Sequence, residues 1–345
     1  MHPDLKQALD LAIHQQPVPS TISQLAFEVI LNGQASEVEI AALLVALVTK
    51  GEAVSELVGA AQAMRTHATK IPVASHQLLD TCGTGGDGLH TFNISTATAI
   101  VAAACGVKVA KHGNRSVSSS TGSADVLEAL GVKVDLTPEQ VANCIDQIGI
   151  GFCFAPLLHA AMKHAVPVRK ALGIRTLFNL IGPLTNPAGA QYQLLGAARN
   201  HFAEKIANTL LNLGTERALV VCGNDEIDEV CLWGPTAVFQ ISADEQGKPA
   251  LQKQTWMPKD FGLEAIDVND LRVGSAAESA QMIRDVFANQ PGPARSIVVA
   301  NAAAALLTAG KADTLSECVT IVDQALSSGA VESQLQRLVE ATQTP

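Results

Sequence analysis

The chain has 345 residues, of which 48% are hydrophobic and 16% charged, and its 23 Lys and Arg against 33 Asp and Glu give a net charge of −10. This length and apolar content exclude an intrinsically disordered chain and predict two domains, since a domain typically contains about 100–200 residues. An acidic chain with 3% aromatic residues also lacks the basic surface and the stacking platforms of most nucleic-acid-binding proteins.

We expect a cytoplasmic protein with no membrane segment. No stretch reaches the ~18 consecutive apolar residues of a membrane-spanning helix. The first residues, which include His2, Asp4 and Lys6, do not form a basic segment followed by an apolar one, so no signal peptide is predicted. The seven cysteines are odd in number and include no CxxC motif, which favours reduced thiols over disulfides or a zinc site.

The first 72 residues are predicted to form a small all-helical domain. Apolar residues recur at helical spacing over residues 20–32, and Ser36 with Glu39 forms a capping box before an apolar run that ends near Gly51. A third helix begins near Ser55. The second helix is apolar on most faces, so it must be buried on several sides, either within its own chain or at a subunit interface.

From residue 77 onward, short apolar strands alternate with helices. The predicted strands are residues 78–81, 107–110, 132–134, 151–154, 193–197, 219–222 and 238–241. The predicted helices are residues 96–105 and 124–130, one that starts at Thr137 and Pro138, and most of the tail over 276–342. Such alternation predicts a larger α/β domain with a mainly parallel central sheet flanked by helices.

The predicted domains are therefore discontinuous in sequence. The helical domain comprises residues 1–72, to which a helical segment at about 168–188 returns. The α/β domain comprises residues 73–167 and 189–345.

The acidic residues are unevenly distributed along the chain. Residues 88–124 and 147–203 contain no Asp or Glu over 37 and 57 residues, yet they include Lys111, Arg115 and Arg169. Basic segments in an acidic protein indicate a pocket for an anionic small molecule, although a chain with few charges can also produce such gaps by chance.

A glycine-rich segment, DTCGTGGDG at residues 80–88, follows the first predicted strand. Glycines let backbone N–H groups approach an anion closely. The next helix opens with the segment NIST at residues 93–96, and a helix N-terminus with free N–H groups favours a phosphate. A plain glycine turn followed by an ordinary N-cap is the alternative interpretation.

A polar segment, KHGNRSVSS at residues 111–119, follows the second predicted strand. It places cations, a glycine and hydroxyl groups at the strand end, where ligands bind in sheets of this kind. Ser123 then begins another helix. The alternative is a solvated loop. A third segment contains His159 and Arg169; a guanidinium suits a carboxylate, whereas the histidine could equally be a core or capping residue.

Taken together, these motifs resemble the anthranilate phosphoribosyltransferase family. The resemblance spans about residues 1–340 and rests on GTGGDG…TFNIST, KHGNRSVSS…GSADVLEALG and FAPLLHAAMKH…VRKALGIRTLFNLIGPLTNP. It implies transfer of the phosphoribosyl group of 5-phosphoribosyl-1-pyrophosphate (PRPP) to the amine of anthranilate, giving N-(5-phosphoribosyl)anthranilate and pyrophosphate, in tryptophan biosynthesis. It also implies a fold similar to the pyrimidine nucleoside phosphorylases, a hinge between the domains, and a homodimer formed through the helical domain.

The resemblance also assigns site residues. Those implied to bind PRPP are Gly83, Gly86, Asp87, Thr91, Asn93, Ile94, Ser95, Thr96, Lys111, His112, Gly113, Asn114, Arg115, Ser116, Val117, Ser118, Ser119 and Ser123. Those implied to bind anthranilate are Gly83, His112, Asn114, His159 and Arg169.

Two Mg²⁺ ions are implied, with Ser95, Asp228 and Glu229 as their ligands. The neighbouring pair Asp225 and Glu226 is an alternative carboxylate pair. We prefer Asp228 and Glu229, because the family pattern has an Asp-Glu pair a few residues before a Gly-Pro-Thr sequence, which stands here at 234–236.

This sequence departs from the family pattern at three positions. Glu226 replaces a common glycine, Cys222 a common histidine, and Ala160 a common proline. The extra carboxylate of Glu226 could alter metal affinity, whereas Ala160 affects only the shape of its loop.

Two other functions remain open at this point. One is a pyrimidine nucleoside phosphorylase-like enzyme, which would use phosphate and a nucleoside and would not need a carboxylate-binding arginine. The other is a non-catalytic relative that binds nucleic acid, which the charge of −10 and the intact carboxylate pair disfavour.

Overall fold

A computed structural model of the protein describes residues 1–115, 122–244 and 246–343. Within these ranges one sheet of seven strands has the order β3-β2-β1-β4-β5-β6-β7. The strands are β1 Leu79–Gly83, β2 Val109–Gly113, β3 Ile150–Phe154, β4 Tyr192–Gly196, β5 Arg217–Gly223, β6 Thr236–Ala243 and β7 Pro249–Trp256. The first five strands pair in parallel, and β6 and β7 are antiparallel.

Four helices precede the sheet: α1 Pro3–Ile13, α2 Ser20–Leu31, α3 Glu37–Lys50 and α4 Val54–His67. The capping box is present, because the Glu39 N–H donates to Ser36 Oγ while Glu39 Oε2 accepts from the Ser36 N–H. Val38 on α3 is 79% exposed and Val45 is 40% exposed. The described chain therefore leaves part of the apolar surface of this helix uncovered.

Helices and short 3₁₀ segments connect and cover the strands. The helices are α5 Ile94–Ala104, α6 Ser123–Ala129, α7 Pro138–Ile148, α8 Ala155–Leu158, α9 Val166–Leu172, α10 Leu177–Ile181, α11 Asn200–Asn212, α12 Ala276–Phe287, α13 Pro293–Thr308, α14 Leu315–Ser327 and α15 Ala330–Gln343. The 3₁₀ segments are Ala160–His164, Gly182–Leu184, Pro258–Phe261 and Val268–Leu271. In the part of the chain described, no helix combines the length and apolar character needed to cross a membrane.

The predicted fold class is confirmed: a helical region precedes a larger α/β region built on a mainly parallel sheet. The returning segment consists of α9 and α10, which pack against α3 and α4. Gly173, with φ +63°, ends α9 and separates the two helices. The domain limits given above stay a prediction.

Two strand predictions differ from the structure. Residues 132–134 form no strand; Val132 and Val134 are buried in the core beside α5, and the Val132 N–H donates to the Leu127 carbonyl, which continues the end of α6. The alternation of apolar and polar residues over 132–134 therefore reflects burial of two valines and not pairing with a neighbouring strand. Conversely, the strand β7 has no apolar alternation, because at the sheet edge only its last residue, Trp256, is buried.

Candidate active site

A cleft of about 340 Å³ lies at the carboxyl-terminal ends of β1 and β2, beside the chain that follows β5. We call it the front cleft. Parallel sheets bind ligands at this edge, where strand ends and helix N-termini converge. The predicted residues that line it are Gly83, Gly86, Asp87, Thr91, Asn93, Ile94, Ser95, Lys111, His112, Gly113, Asn114, Arg115, Ser123, Asp228 and Glu229.

The glycine-rich loop lies directly against Asp228. The Gly85 N–H donates to Asp228 Oδ2 at 2.7 Å. A Cβ atom on Gly83 would collide with the same carboxylate, so this position requires glycine for close packing and not for an unusual backbone angle. The loop and the carboxylate therefore form one unit.

Asp228 and Glu229 are half-buried carboxylates with too little positive charge around them. Burial and the nearby Asp87 raise the pKa of Asp228 to about 7. Burial and Asp228 raise the pKa of Glu229 well above its ordinary value, while Lys111 and the Ser95 N–H oppose this shift. Because burying like charges together is costly, the cluster favours a bound cation.

The donor set at this cluster fits Mg²⁺. Carboxylate and hydroxyl oxygens are the ligands that this hard cation prefers, and it usually keeps several waters and substrate oxygens in its shell. In the described residues, no group of three or more His, Cys, Asp and Glu side chains could hold a metal ion. A metal here would therefore depend on Ser95, water or a bound substrate for its remaining ligands.

Helix α13 holds the Asp228–Glu229 segment in place. Asn301 Oδ1 accepts from the Val230 N–H at 2.9 Å, and Asn301 Nδ2 donates to the Val230 carbonyl at 2.9 Å. Asn301 is fully buried. Sequence reasoning missed this residue, which stands in an alanine-rich helix far along the chain.

Lys111 is the buried cation of the front cleft. Its Nζ donates to the Thr81 carbonyl at 2.6 Å and to Ser95 Oγ at 3.3 Å. Burial lowers its pKa, and Asp80 and Glu229 oppose that shift. The ammonium thus connects β1, β2 and the start of α5.

The N-terminus of α5 opens into the front cleft. Asn93 caps the helix, because its Oδ1 accepts from the Thr96 N–H at 3.1 Å. Ser95 Oγ donates to the same oxygen at 3.3 Å. Such a capped N-terminus presents partial positive charge to an anion. Thr96 is buried inside the helix and does not line the cleft.

The end of β2 leads to Arg115 at the rim of the cleft. Arg115 Nη1 lies 3.1 Å from Asp125 and 2.6 Å from Glu128. These contacts raise the pKa of the guanidinium further above its ordinary value. Its charge is therefore already compensated on the protein surface. The predicted residues Ser116, Val117, Ser118 and Ser119 lie outside the described residues.

His112 and His159 form a buried pair with ring centroids 5.1 Å apart. Burial lowers their pKa values to about 3 and about 4. The Nε2 atoms of both rings have no hydrogen-bond partner among the described residues. The lowered pKa values keep both rings neutral at pH 7. His112 lines the front cleft and His159 does not.

Arg169 does not line the front cleft. Its guanidinium carbon lies 5.4 Å from the centre of the Phe178 ring, and burial lowers its pKa. Arg175 occupies the cleft instead and donates to the Gly85 carbonyl at 3.0 Å. The sequence contains a signal for Arg175, which belongs to an acid-free segment, but motif reasoning assigned it no role. Asn179 also lines the cleft and was missed.

The alternative pair Asp225 and Glu226 has structural partners elsewhere. Asp225 Oδ1 accepts from the Asn200 N–H at 2.7 Å at the start of α11. Glu226 Oε1 accepts from Trp233 Nε1 at 2.6 Å and from Asn224 at 2.8 Å. Neither carboxylate lines the front cleft, which favours Asp228 and Glu229 as the pair that faces a ligand.

Family models match nearly the whole chain. The glycosyl transferase family a/b domain matches residues 75–332, and the glycosyl transferase family helical bundle domain matches residues 6–68. The two matched segments divide the chain between the helical bundle and the sheet.

Several curated proteins are similar to the chain over its full length. The anthranilate phosphoribosyltransferase of Thioalkalivibrio sulfidiphilus is 47% identical over 98% of this chain and 99% of its own. The enzyme of the same name from Nitrosomonas europaea is 48% identical over 99% and 98%.

Solved structures agree in fold. The crystal structure of anthranilate phosphoribosyltransferase from Thermus thermophilus has a TM-score of 0.90 and 39% identity over 98% of this chain and 99% of that chain. The Saccharomyces cerevisiae enzyme in complex with PRPP and Mg has a TM-score of 0.89 over 99% of both chains, and its 24% identity supports likeness of fold alone.

Proposed function

Because the chain belongs to the anthranilate phosphoribosyltransferase family, we propose that it transfers the phosphoribosyl group of PRPP to the amine of anthranilate, releasing pyrophosphate, in tryptophan biosynthesis. The observation that carries this proposal is the front cleft, where a glycine loop, a helix N-terminus and a half-buried carboxylate pair face one space. The combination suits a substrate that carries phosphates and arrives with a metal ion.

PRPP binds in the front cleft along the glycine loop and the start of α5. The loop residues Gly83, Gly86 and Asp87 lie on one side, and Asn93, Ser95 and the α5 N-terminus on another. Asn114 and Arg115 follow β2, Ser123 begins α6, and the three would cover the ribosyl and pyrophosphate groups. At these positions backbone N–H groups would donate hydrogen bonds to the phosphate oxygens, so binding there needs no charged side chain.

Mg²⁺ is held by Ser95, Asp228 and Glu229, and the proposal includes two ions. The metal neutralises the pyrophosphate and helps it to leave. A cation in this position would also relieve the repulsion that raises the pKa values of Asp228 and Glu229. The yeast enzyme of this name has been solved with PRPP and Mg, in agreement with the proposal.

The chemical step needs no covalent intermediate on the protein. The bond from ribose C1 to the pyrophosphate oxygen breaks, the anthranilate nitrogen forms the new bond to C1, and that nitrogen loses a proton to the departing pyrophosphate or to water. The chain contributes by stabilising charge on the leaving group and by positioning the amine. Lys111 and the α5 N-terminus are the fixed positive groups that serve this purpose.

Anthranilate binds beside the neutral histidine pair. Gly83, His112 and Asn114 reach the cleft directly, and His159 supports the His112 ring. In the present arrangement the Arg169 guanidinium faces the Phe178 ring and not the front cleft. Arg169 would therefore reach the substrate carboxylate only after the hinge between the domains closes.

The chain is proposed to form a homodimer through the helical domain. The exposed apolar side chains Val38 and Val45 lie on α3, and a second copy would cover them. The net charge of −10 and the family membership argue against nucleic acid as a partner. The proposed location is the cytoplasm.

The decisive assay measures the loss of anthranilate fluorescence with PRPP and Mg²⁺. We expect fluorescence to fall only when all three are present with the protein. A parallel reaction with thymidine and phosphate tests the nucleoside phosphorylase alternative. Turnover of thymidine without turnover of anthranilate would overturn the proposal.

A further inference from the structure

A second and larger cavity lies at the opposite end of the same strands. Its volume is about 580 Å³. It is lined by the end of α4 and the chain after it (65–71), the segment that leads into β4 (186–193), and the turn before β5 (213–215). We call it the rear cavity. Since β1, β4 and β5 are parallel, it lies at their amino-terminal edge, away from the front cleft.

The charge of the rear cavity has one sign. Its described lining includes the cations Arg65 and Lys70 and no Asp or Glu. The remaining polar side chains of the described lining are neutral, and some of them already donate to backbone carbonyls, as Thr66 does to Gln62 and Asn186 to Ala110. In a chain of net charge −10, a concave surface with cations alone concentrates anions.

Arg65 is the most informative group in this lining. Its Nε donates to the Leu184 carbonyl at 2.8 Å, which fixes the guanidinium plane. Neither Nη atom has a partner among the described residues, and no carboxylate forms an ion pair with this side chain there. Burial alone lowers its pKa. A half-buried guanidinium without a counter-charge is costly unless an anion completes it.

The other cation, Lys70, comes from the chain that leaves α4. It is exposed at the mouth of the cavity and likewise forms no ion pair with a described residue. The two cations therefore differ in role: Arg65 offers a fixed two-pronged donor inside, and Lys70 a movable point charge outside.

We propose that the rear cavity is a binding site for a small organic anion, whose carboxylate or phosphate pairs with Arg65 and Lys70. Carboxylates and phosphates share the geometry that a guanidinium recognises. The volume lies within the range of about 300–1,000 Å³ that is usual for small-molecule sites. The anion would not compete with substrates, because no residue lines both cavities.

The space inside the cavity also suits a ligand. A Cβ atom built on Gly189 or on Gly214 would meet nothing within 4 Å. Both glycines lie in turns at the edge of the cavity, before β4 and before β5. Their backbones therefore border open volume.

The first experiment measures binding of inorganic phosphate and of malonate to the full chain by isothermal titration calorimetry at constant ionic strength. We expect Lys70→Gln to weaken anion binding at one class of site about 5-fold. Arg65→Gln should weaken the same class more than 10-fold, since a guanidinium can donate two parallel hydrogen bonds to the anion and an ammonium acts as a point charge. The exposed Lys133, whose side chain lies outside both cavities, gives the matched control Lys133→Gln, which should bind as the wild type does.

A second experiment locates the anion. Crystals soaked in sodium tungstate should show an anomalous peak beside Arg65, and the peak should disappear in Lys70→Gln crystals or weaken strongly. Tighter binding of malonate than of phosphate would assign a carboxylate ligand, and the reverse a phosphate ester. Lys70 has no side-chain partner among the described residues, so its variant decides the question even if Arg65→Gln fails to fold. An anion affinity that is unchanged in Lys70→Gln would overturn the proposal. So would a tungstate peak that persists in that variant, because it would then mark an adventitious ion only.

Discussion

The front cleft and the rear cavity lie at opposite ends of the same parallel strands and are built in different ways. The front cleft brings Asp228, Glu229 and Lys111 together and packs the glycine loop directly onto a carboxylate. The rear cavity has more volume, and its described lining contains two cations and no carboxylate. Volume therefore does not identify the reactive site. The front cleft is distinguished by carboxylates and an ammonium group that lie close together. Such a set of charges can stabilise charge that develops on a reacting substrate.

The largest expected effect tests whether the carboxylate pair defines the front cleft. The double variant Asp228→Asn with Glu229→Gln should lower kcat/KM by about 100-fold or more at low Mg²⁺, because it removes the charge that holds a metal and the leaving group. Steady-state assays over a range of Mg²⁺ concentration measure this. The neighbouring double variant Asp225→Asn with Glu226→Gln is the matched control and should retain activity. The opposite ranking of the two double variants would move the metal to the alternative pair.

The second effect tests which arginine serves the front cleft. Arg169→Ala should raise the KM for anthranilate by about 10- to 100-fold, since it removes a charged hydrogen-bond donor to a carboxylate. The KM for PRPP should change far less. Lys170→Ala is the control, because it removes a neighbouring positive charge. Equal effects of Arg169→Ala on both substrates would contradict the assignment.

The sequence predicts the front cleft well because its features are local. A strand end, a glycine loop and an N-cap follow one another within residues 80–96, so each implies the next. Arg175 escapes prediction because its contact with Gly85 spans 90 residues. The Asn301 contacts with Val230 span 71 residues, again with no motif to signal them.

The fold shows the same division between local and distant information. Parallel strands buried on both faces have apolar runs that are easy to detect, whereas β7 has only one buried residue and no apolar run. The buried Val132 and Val134 imitate a strand. No local motif predicts the rear cavity, because three separated segments of the chain line it.

The third effect concerns the neutral histidine pair, which has no counterpart in the rear cavity. His112 and His159 have folded pKa values of about 3 and about 4, below the ordinary value of about 6.5 in the unfolded chain. The unfolded state therefore binds more protons between pH 6.5 and 4, and stability falls as the pH falls through this window. We expect a loss of about 2 kcal/mol for each histidine at pH 5 relative to pH 8.

Urea unfolding at several pH values measures the histidine effect. The double variant His112→Gln with His159→Gln should lose less stability on acidification than the wild type. His76→Gln, at an exposed position, is the control and should follow the wild-type curve. Parallel curves for the wild type and the double variant would show that the pair does not remain neutral on folding.

The smallest effect contrasts packing at the two ends of the strands. Gly189 beside the rear cavity has φ +68°, and a Cβ there would meet nothing within 4 Å. Gly189→Ala should therefore cost only about 1 kcal/mol of unfolding free energy, from backbone strain. Gly83→Ala has no such backbone strain, but its Cβ collides with Asp228, so it should displace that carboxylate and raise the Mg²⁺ concentration needed for activity. Denaturant unfolding and Mg²⁺ titration separate the two outcomes. An unchanged Mg²⁺ requirement in Gly83→Ala would mean that the close contact in the front cleft is not what positions Asp228.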